Sequence, residues 1–233
     1  MKAMIFAAGL GTRLKPITDS LPKALVPVGG KPLIEHVSRK LKASGIDEAV
    51  VNVQSLANMY IISELTCDAD IYWSSFYMDV DFSADGDKKL TFEAPWDFDS
   101  GLGNKSRCPK GTGFYAANIV PDVNGNEYET INPWLAVLMY ADWYQDIIRE
   151  KWTTVYDAGI FDTAVQQIDV MKEQFADAFE RNDARWGVST QDDSVAMELS
   201  SKAKNCRSQA EAAEYLSDWM RKRVEFMNAQ WHK

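Results

Sequence analysis

The sequence predicts an α/β unit of β-loop-α-β order at its N-terminal end, joined to a larger α+β region that is mainly helical. Three observations predict it. Two apolar runs, Lys2 to Ala8 and Ala49 to Val53, bracket a glycine loop and an amphipathic stretch. Between Phe76 and Ala94 apolar residues alternate with polar ones around the dipeptide Asp85-Gly86, the pattern of a β-hairpin. After Pro133 the apolar residues recur at helical spacing.

Composition narrows the function classes. With 233 residues, 46% of them hydrophobic, and 8 Trp, the chain can fill a core. A formal charge of -9 excludes the broad basic footprint of a nucleic-acid binder or of a protein drawn to an anionic membrane. No nucleic-acid or membrane partner is therefore expected. Cys67, Cys108 and Cys206 are too scattered for a zinc site, and their odd number argues against a disulfide framework. The apolar start runs straight into Gly9, Gly11, Arg13 and Lys15 without a cleavage signal, and no apolar run reaches membrane-spanning length. A cytoplasmic location is the expectation. His36 and His232 are the only histidines, so histidine-based acid/base chemistry is not the favoured reading.

The first apolar run opens onto Gly9-Leu10-Gly11-Thr12-Arg13. Glycines let a backbone approach a phosphate closely, and Arg13, Lys15 and Lys23 supply positive charge nearby. A tight turn is the competing explanation of the glycines alone. Gly30-Lys31-Pro32 is expected to start a helix with Ile34, Val37 and Leu41 on one stripe. A second buried strand over Ala49 to Val53 then completes a βαβ unit of Rossmann-like, parallel type. Ser55 is expected to cap the next helix, with Leu56, Met59, Tyr60 and Ile62 to Leu65 on its apolar face.

That helix leads into a loop carrying Asp68, Asp70 and Ser75, and the hairpin leads out into Trp96-Asp97-Phe98-Asp99-Ser100-Gly101-Leu102-Gly103-Asn104. Folded as a hairpin, the segment sets two acidic loops side by side. Carboxylates with few basic neighbours favour a cation, here Mg²⁺ carrying a nucleotide's phosphates. The same aspartates also serve as turn formers on a solvated rim. Lys105, Arg107 and Lys110 follow as phosphate contacts or as an ordinary charged loop, and Gly113 to Val120 is a candidate strand. Helices are expected around Trp143 to Val155, ending at Gly159, and over Phe161 to Asn182. A long one follows the capping box Ser208-Gln209-Ala210-Glu211 and carries Leu216, Trp219, Met220, Val224, Met227 and Trp231.

Two resemblances emerge from these residues. Ala7-Ala8-Gly9-Leu10-Gly11-Thr12-Arg13-Leu14-Lys15-Pro16, Pro22-Lys23-Ala24-Leu25-Val26-Pro27-Val28 and Gly30-Lys31-Pro32-Leu33-Ile34 resemble the signature segment of the sugar-phosphate nucleotidyltransferases. That resemblance implies that Gly9, Gly11 and Thr12 line a nucleoside triphosphate, while Arg13 and Lys23 steady it as pyrophosphate leaves; it covers residues 1–53. Asn58-Met59-Tyr60, the Trp96-Asp97-Phe98-Asp99 run, Gly103-Asn104 and Asn132-Pro133-Trp134 resemble the CotH-type spore-coat kinases from about Ser55 onward. Asp70 precedes Ser75 by the spacing that separates the catalytic Asp from the metal-holding Asn of a kinase catalytic loop. This second resemblance implies a region like a kinase C-lobe, with Asp70 as base, Asp97 as Mg²⁺ ligand, Asp99 as the alternative ligand and Ser75 as a further, weaker one.

The two resemblances meet near Val53-Gln54-Ser55 without a linker rich in Gly, Ser or Pro. The chain therefore reads as a fusion in which each family is incomplete. Residues 1–53 are the nucleotidyltransferase-like segment and 54–233 the kinase-like region, with acidic loops and hairpin at 68–104 and helices at 132–233. The expected activity is NTP- and Mg²⁺-dependent transfer of a phosphorus-containing group, either phosphoryl to a protein hydroxyl or nucleotidyl to a sugar phosphate. An inactive scaffold is the third reading. Residues 1–53 are expected to form their own small sheet.

Overall fold

A computed structural model describes residues 2–3, 27–32, 50–68, 77–106, 109–116, 141–188, 190, 192, 196–197 and 199–233. The chain divides into two compact units. The first is Met1–Ile62, Ala69–Phe98 and Ala116–Tyr144; the second is Ser63–Asp68, Asp99–Tyr115 and Gln145–Lys233.

In the first unit, β1 (Lys2–Ala3), β4 (Val50–Val51), β5 (Met78–Asp81) and β6 (Lys89–Phe92) form one four-stranded sheet in the order β1-β5-β6-β4. β1 pairs antiparallel with β5 through Lys2↔Asp81 and Ala3↔Val80, and β5 pairs antiparallel with β6 through Met78↔Phe92. β4 lies parallel to β6, with Val51 opposite Leu90. Period two dictates which hairpin side chains go inside: Met78, Val80, Leu90 and Phe92 are all buried. The turn is fastened by Ser83 N donating to Asp81 Oδ1 at 3.0 Å and Lys88 N donating to Asp81 O at 3.2 Å.

This arrangement corrects the expected N-terminal fold. β1 and β4 run in the same direction but are not neighbours, because the hairpin lies between them. A Rossmann-like unit with a sheet of its own is not what these strands build. Lys31-Pro32 is likewise no helix start: β2 (Pro27–Val28) and β3 (Lys31–Pro32) pair antiparallel around Gly29-Gly30, both at positive φ (58° and 80°). Two left-handed residues in the loop define a type I′ hairpin turn, a backbone that glycine adopts without steric cost. Ile34, Val37 and Leu41 lie outside the described residues.

Helix α1 (Val53–Thr66) begins two residues before the expected cap. Asn52 supplies the capping oxygen, its Oδ1 accepting from Gln54 N and Ser55 N at 3.2 Å each. Ser55 has a different task, its hydroxyl accepting from Phe92 N at 3.0 Å and so fastening the first turn of α1 to β6.

The second unit is helical. Its regular elements include α2 (Asp142–Asp157, from Gln145 onward), α3 (Ile160–Gln174), α4 (Ala176–Trp186), α5 (Ser201–Lys204) and α6 (Gln209–Trp231). The stretch expected as one helix from Phe161 is broken at Phe175, where α3 ends and α4 begins. Ser208 caps α6 as expected, its Oγ accepting from Glu211 N, but the Glu211 carboxylate accepts from Arg207 N at 2.7 Å. Aromatic residues fill the core: Trp152 stacks on Phe161 at 4.6 Å and meets Trp231 edge-on at 5.6 Å, while Phe114 stacks on Trp231 at 5.7 Å. Residues 113–116 are irregular where a strand was a candidate. Among the described residues no helix is long and apolar enough to cross a membrane.

Candidate functional site

Of the residues expected to act in catalysis, nucleotide binding or metal binding, Asp97 and the backbone of Asp99 can be placed; Asp68, Lys105 and Lys110 are also among the described residues. Gly9, Gly11, Thr12, Arg13, Lys23, Asp70 and Ser75 lie outside the described residues. Asp97 is exposed and its backbone is left-handed at φ 64°. Aspartate tolerates that conformation better than most residues, because its short polar side chain can hydrogen-bond locally. Trp96 beside it is 64% exposed, and its ring meets Tyr77 edge-on with centroids 6.4 Å apart. Phe98–Ser100 forms a single 3₁₀ turn, with Asp99 at its centre. Asp68, at the entrance to the first acidic loop, is fully buried. Among the described residues no cluster of three or more His, Cys, Asp or Glu stands ready to hold a metal.

Within the second unit, the segments Ser63–Asp68 and Asp99–Tyr115 are tied together. Leu102 N donates to Thr66 O at 2.5 Å, joining the residue that follows the Asp97-Phe98-Asp99 run by a short step to the last residue of α1. Two further residues, not expected from sequence, carry the rest. Arg223 on α6 and Glu64 on α1 are both 0% exposed and paired at 3.0 Å, from Arg223 Nη2 to Glu64 Oε2. Arg223 Nε donates to Glu64 O at 2.8 Å, and its Nη1 donates to Gly113 O at 2.6 Å. Glu64 Oε2 also accepts from Tyr115 N at 2.7 Å. A buried ion pair is favourable only when its remaining donors and acceptors are satisfied, and here backbone groups of α1 and of the 111–115 segment satisfy them.

By sequence Glu64 falls within the expected apolar face Ile62 to Leu65. The usable signal was the charge itself, since a carboxylate on a buried helix face requires a cationic partner. That partner sits far along the chain, on the stripe of α6 otherwise made of Trp219, Met220, Val224 and Met227.

The two resemblances are matched by comparison with known proteins. The chain is 53% identical over 57 residues to N-acetylmuramate alpha-1-phosphate uridylyltransferase of Caulobacter vibrioides, covering 24% of each chain. It is 52% identical over 60 residues to choline-phosphate cytidylyltransferase of Streptococcus pneumoniae, covering 26% of each. With UTP--glucose-1-phosphate uridylyltransferase of Synechocystis sp. the identity is 49% over 57 residues, 24% of this chain and 15% of that one. The chain thus spans about a quarter or less of the length of these curated relatives. No solved structure matches it. The CotH kinase protein family, in contrast, matches residues 33–227, beginning ahead of Ser55, running through both acidic segments and ending within α6. With most of its length so matched, the chain belongs to the CotH kinase protein family.

Proposed function

We propose that this protein transfers a phosphoryl group from a nucleoside triphosphate to a hydroxyl, with Mg²⁺ as the bridging ion and a protein hydroxyl as acceptor. The family match supports the reaction class. The observation that carries the site is the hydrogen bond between Leu102 N and Thr66 O. It ties the stretch following Asp97-Phe98-Asp99 to the end of α1, which supports a reading in which a base and a metal ligand act on one substrate. Asp97 fits a Mg²⁺ ligand because it is an exposed carboxylate in a loop, with Asp99 as a second oxygen donor two positions on. Bound there, Mg²⁺ would neutralise charge on the phosphates; Asp70 would orient and deprotonate the acceptor hydroxyl, and Ser75 would add a weaker oxygen. In this reading residues 54–233 carry the chemistry.

A second reading has its own support, the identity of 49–53% that short stretches share with uridylyl- and cytidylyltransferases. Under it Gly9, Gly11, Thr12, Arg13 and Lys23 in the 1–53 segment cradle the triphosphate while a sugar phosphate attacks it. Arg13→Ala and Lys23→Ala should then each weaken nucleotide binding by about 1.5 to 3 kcal/mol, the worth of a charge-assisted hydrogen bond.

Thermal-shift measurements with ATP, GTP, UTP and CTP, with and without Mg²⁺, test both readings. A ligand that binds only the folded protein raises its apparent stability by about 2.7 kcal/mol at a hundred times its Kd. A shift that requires Mg²⁺ and is lost in Asp97→Asn supports the kinase reading. Loss in Arg13→Ala instead supports the nucleotidyltransferase reading. No shift with any nucleotide would leave an inactive scaffold.

A further inference from the structure

The described residues from Asp99 to Tyr115 have almost no regular structure after the opening turn, yet their backbone is held at close intervals from outside. Two hydroxyls converge on one carbonyl: Tyr215 Oη donates to Gly103 O at 2.6 Å and Ser200 Oγ donates to it at 2.9 Å. Those two bonds fill both lone pairs of the carbonyl. Ser200 N donates in turn to Asn104 O at 2.6 Å, and Arg223 holds the carbonyls of Gly111 and Gly113 further along. Between Tyr215 and Arg223 on α6 stands Trp219, one turn from each.

Trp219 explains why residue 103 is glycine. Gly103 has φ 77°, and a Cβ there would lie 2.3 Å from Trp219 Nε1. Side chains spaced four apart on one helix thus shape the segment at its head, at Gly103, and at its tail, at Gly111 and Gly113.

We propose that Tyr215 is a positioning residue for the Asp99 end of the metal-holding run, acting through the Gly103 carbonyl. The inference rests on the kinase reading above, in which that run holds Mg²⁺. The hydroxyl of Tyr215 fixes Gly103; Gly103 and Leu102, the latter bonded to Thr66, fix the exit of the Phe98–Ser100 turn; and that turn carries the backbone of Asp99. The effect is expected on metal affinity, because in the kinase reading this run is assigned to Mg²⁺.

Tyr215→Phe removes one hydroxyl and leaves the Ser200 bond in place. We expect the Mg²⁺ concentration that half-saturates ATP binding to rise five- to tenfold, with ATP affinity at saturating Mg²⁺ unchanged. Amide exchange at Leu102 to Asn104 should quicken by a similar factor, while exchange within α6 stays as in wild type. A purely structural role would lower thermal stability without separating the two ATP measurements. If Tyr215→Phe leaves the Mg²⁺ midpoint unchanged while the wild type does bind Mg²⁺ and ATP, the positioning role is overturned and the kinase reading survives. Absence of Mg²⁺-dependent ATP binding in the wild type overturns the kinase reading and this role with it. Should Tyr215→Phe fail to fold, Ser200→Ala removes the other donor to the same carbonyl and must raise the Mg²⁺ midpoint for the proposal to stand.

Discussion

At the scale of single residues, backbone conformation decides which substitutions report on chemistry. Asp97 sits at φ 64°, so Asp97→Ala changes two things at once: it removes the carboxylate, and it removes the short polar side chain whose local hydrogen bonding offsets a left-handed cost of roughly 1–2 kcal/mol. Asparagine tolerates that conformation and removes only the charge. Asp97→Asn should therefore keep the melting temperature of the wild type and lose Mg²⁺-dependent nucleotide binding, whereas Asp97→Ala should lose both in part; equal nucleotide affinity in wild type and Asp97→Asn would move the metal to Asp99. Tyr144 presents the opposite case. It is fully buried, its hydroxyl has no hydrogen-bond partner among the described residues, and burial holds its phenol well above the ordinary value near 10. As pH rises past 10 the unfolded chain releases this proton and the folded chain keeps it, so stability falls with pH in that range. Tyr144→Phe should be neutral or stabilising by up to about 1 kcal/mol at pH 7, because an unsatisfied buried group is removed. It should also lose less stability than wild type between pH 10 and 11, read by urea denaturation.

At the scale of elements, the second unit is held by side chains that reach across to irregular backbone. Arg223 and Glu64 are the centre of this arrangement, joining α1, α6 and the 111–115 segment. Arg223→Met leaves the Glu64 carboxylate buried and unpaired, which should cost about 3–5 kcal/mol. Arg223→Met with Glu64→Gln removes the stranded charge and should recover part of that loss. Chemical denaturation of the two variants checks the order, and a double variant no more stable than the single one would show that packing around Arg223, not the ion pair, is what matters. The surface pairs on α6 behave differently. Arg221 with Asp169 at 3.2 Å and Lys172 with Glu214 at 3.2 Å are solvent-screened, and each contributes little.

At the scale of the whole molecule, the sheet crosses the division expected from sequence. β1 and β4, both from the first 53 residues, pair with the β5–β6 hairpin and not with each other. An isolated two-stranded hairpin is marginal in water, so a chain beginning at Gln54 strips β5 and β6 of both flanking strands. We expect a 54–233 fragment to retain exchange protection in α3 and α6 while losing it over Met78–Asp81 and Lys89–Phe92. Hydrogen exchange measured on that fragment decides the matter: native-like protection of the hairpin would show that the first 53 residues are dispensable to the sheet.

What the sequence determined by itself is the set of features governed by neighbours in the chain. The hairpin faces, with Met78, Val80, Leu90 and Phe92 inside, follow from alternation alone, and the Ser208 cap and the apolar stripe of α6 follow from helical spacing. Local reasoning failed where two local signals competed, as when Gly29-Gly30 made a hairpin turn of residues expected to open a helix. Only the tertiary structure decided which strands lie side by side, because each strand's apolar face is compatible with several partners and the choice is made by pairing across distant parts of the chain. It also decided the role of Arg223. Nothing local distinguishes a buried arginine on an amphipathic helix from a solvated one; its carboxylate partner is 159 positions away, and the two charges can be buried only because the fold brings them, and the backbone groups that satisfy them, to one point.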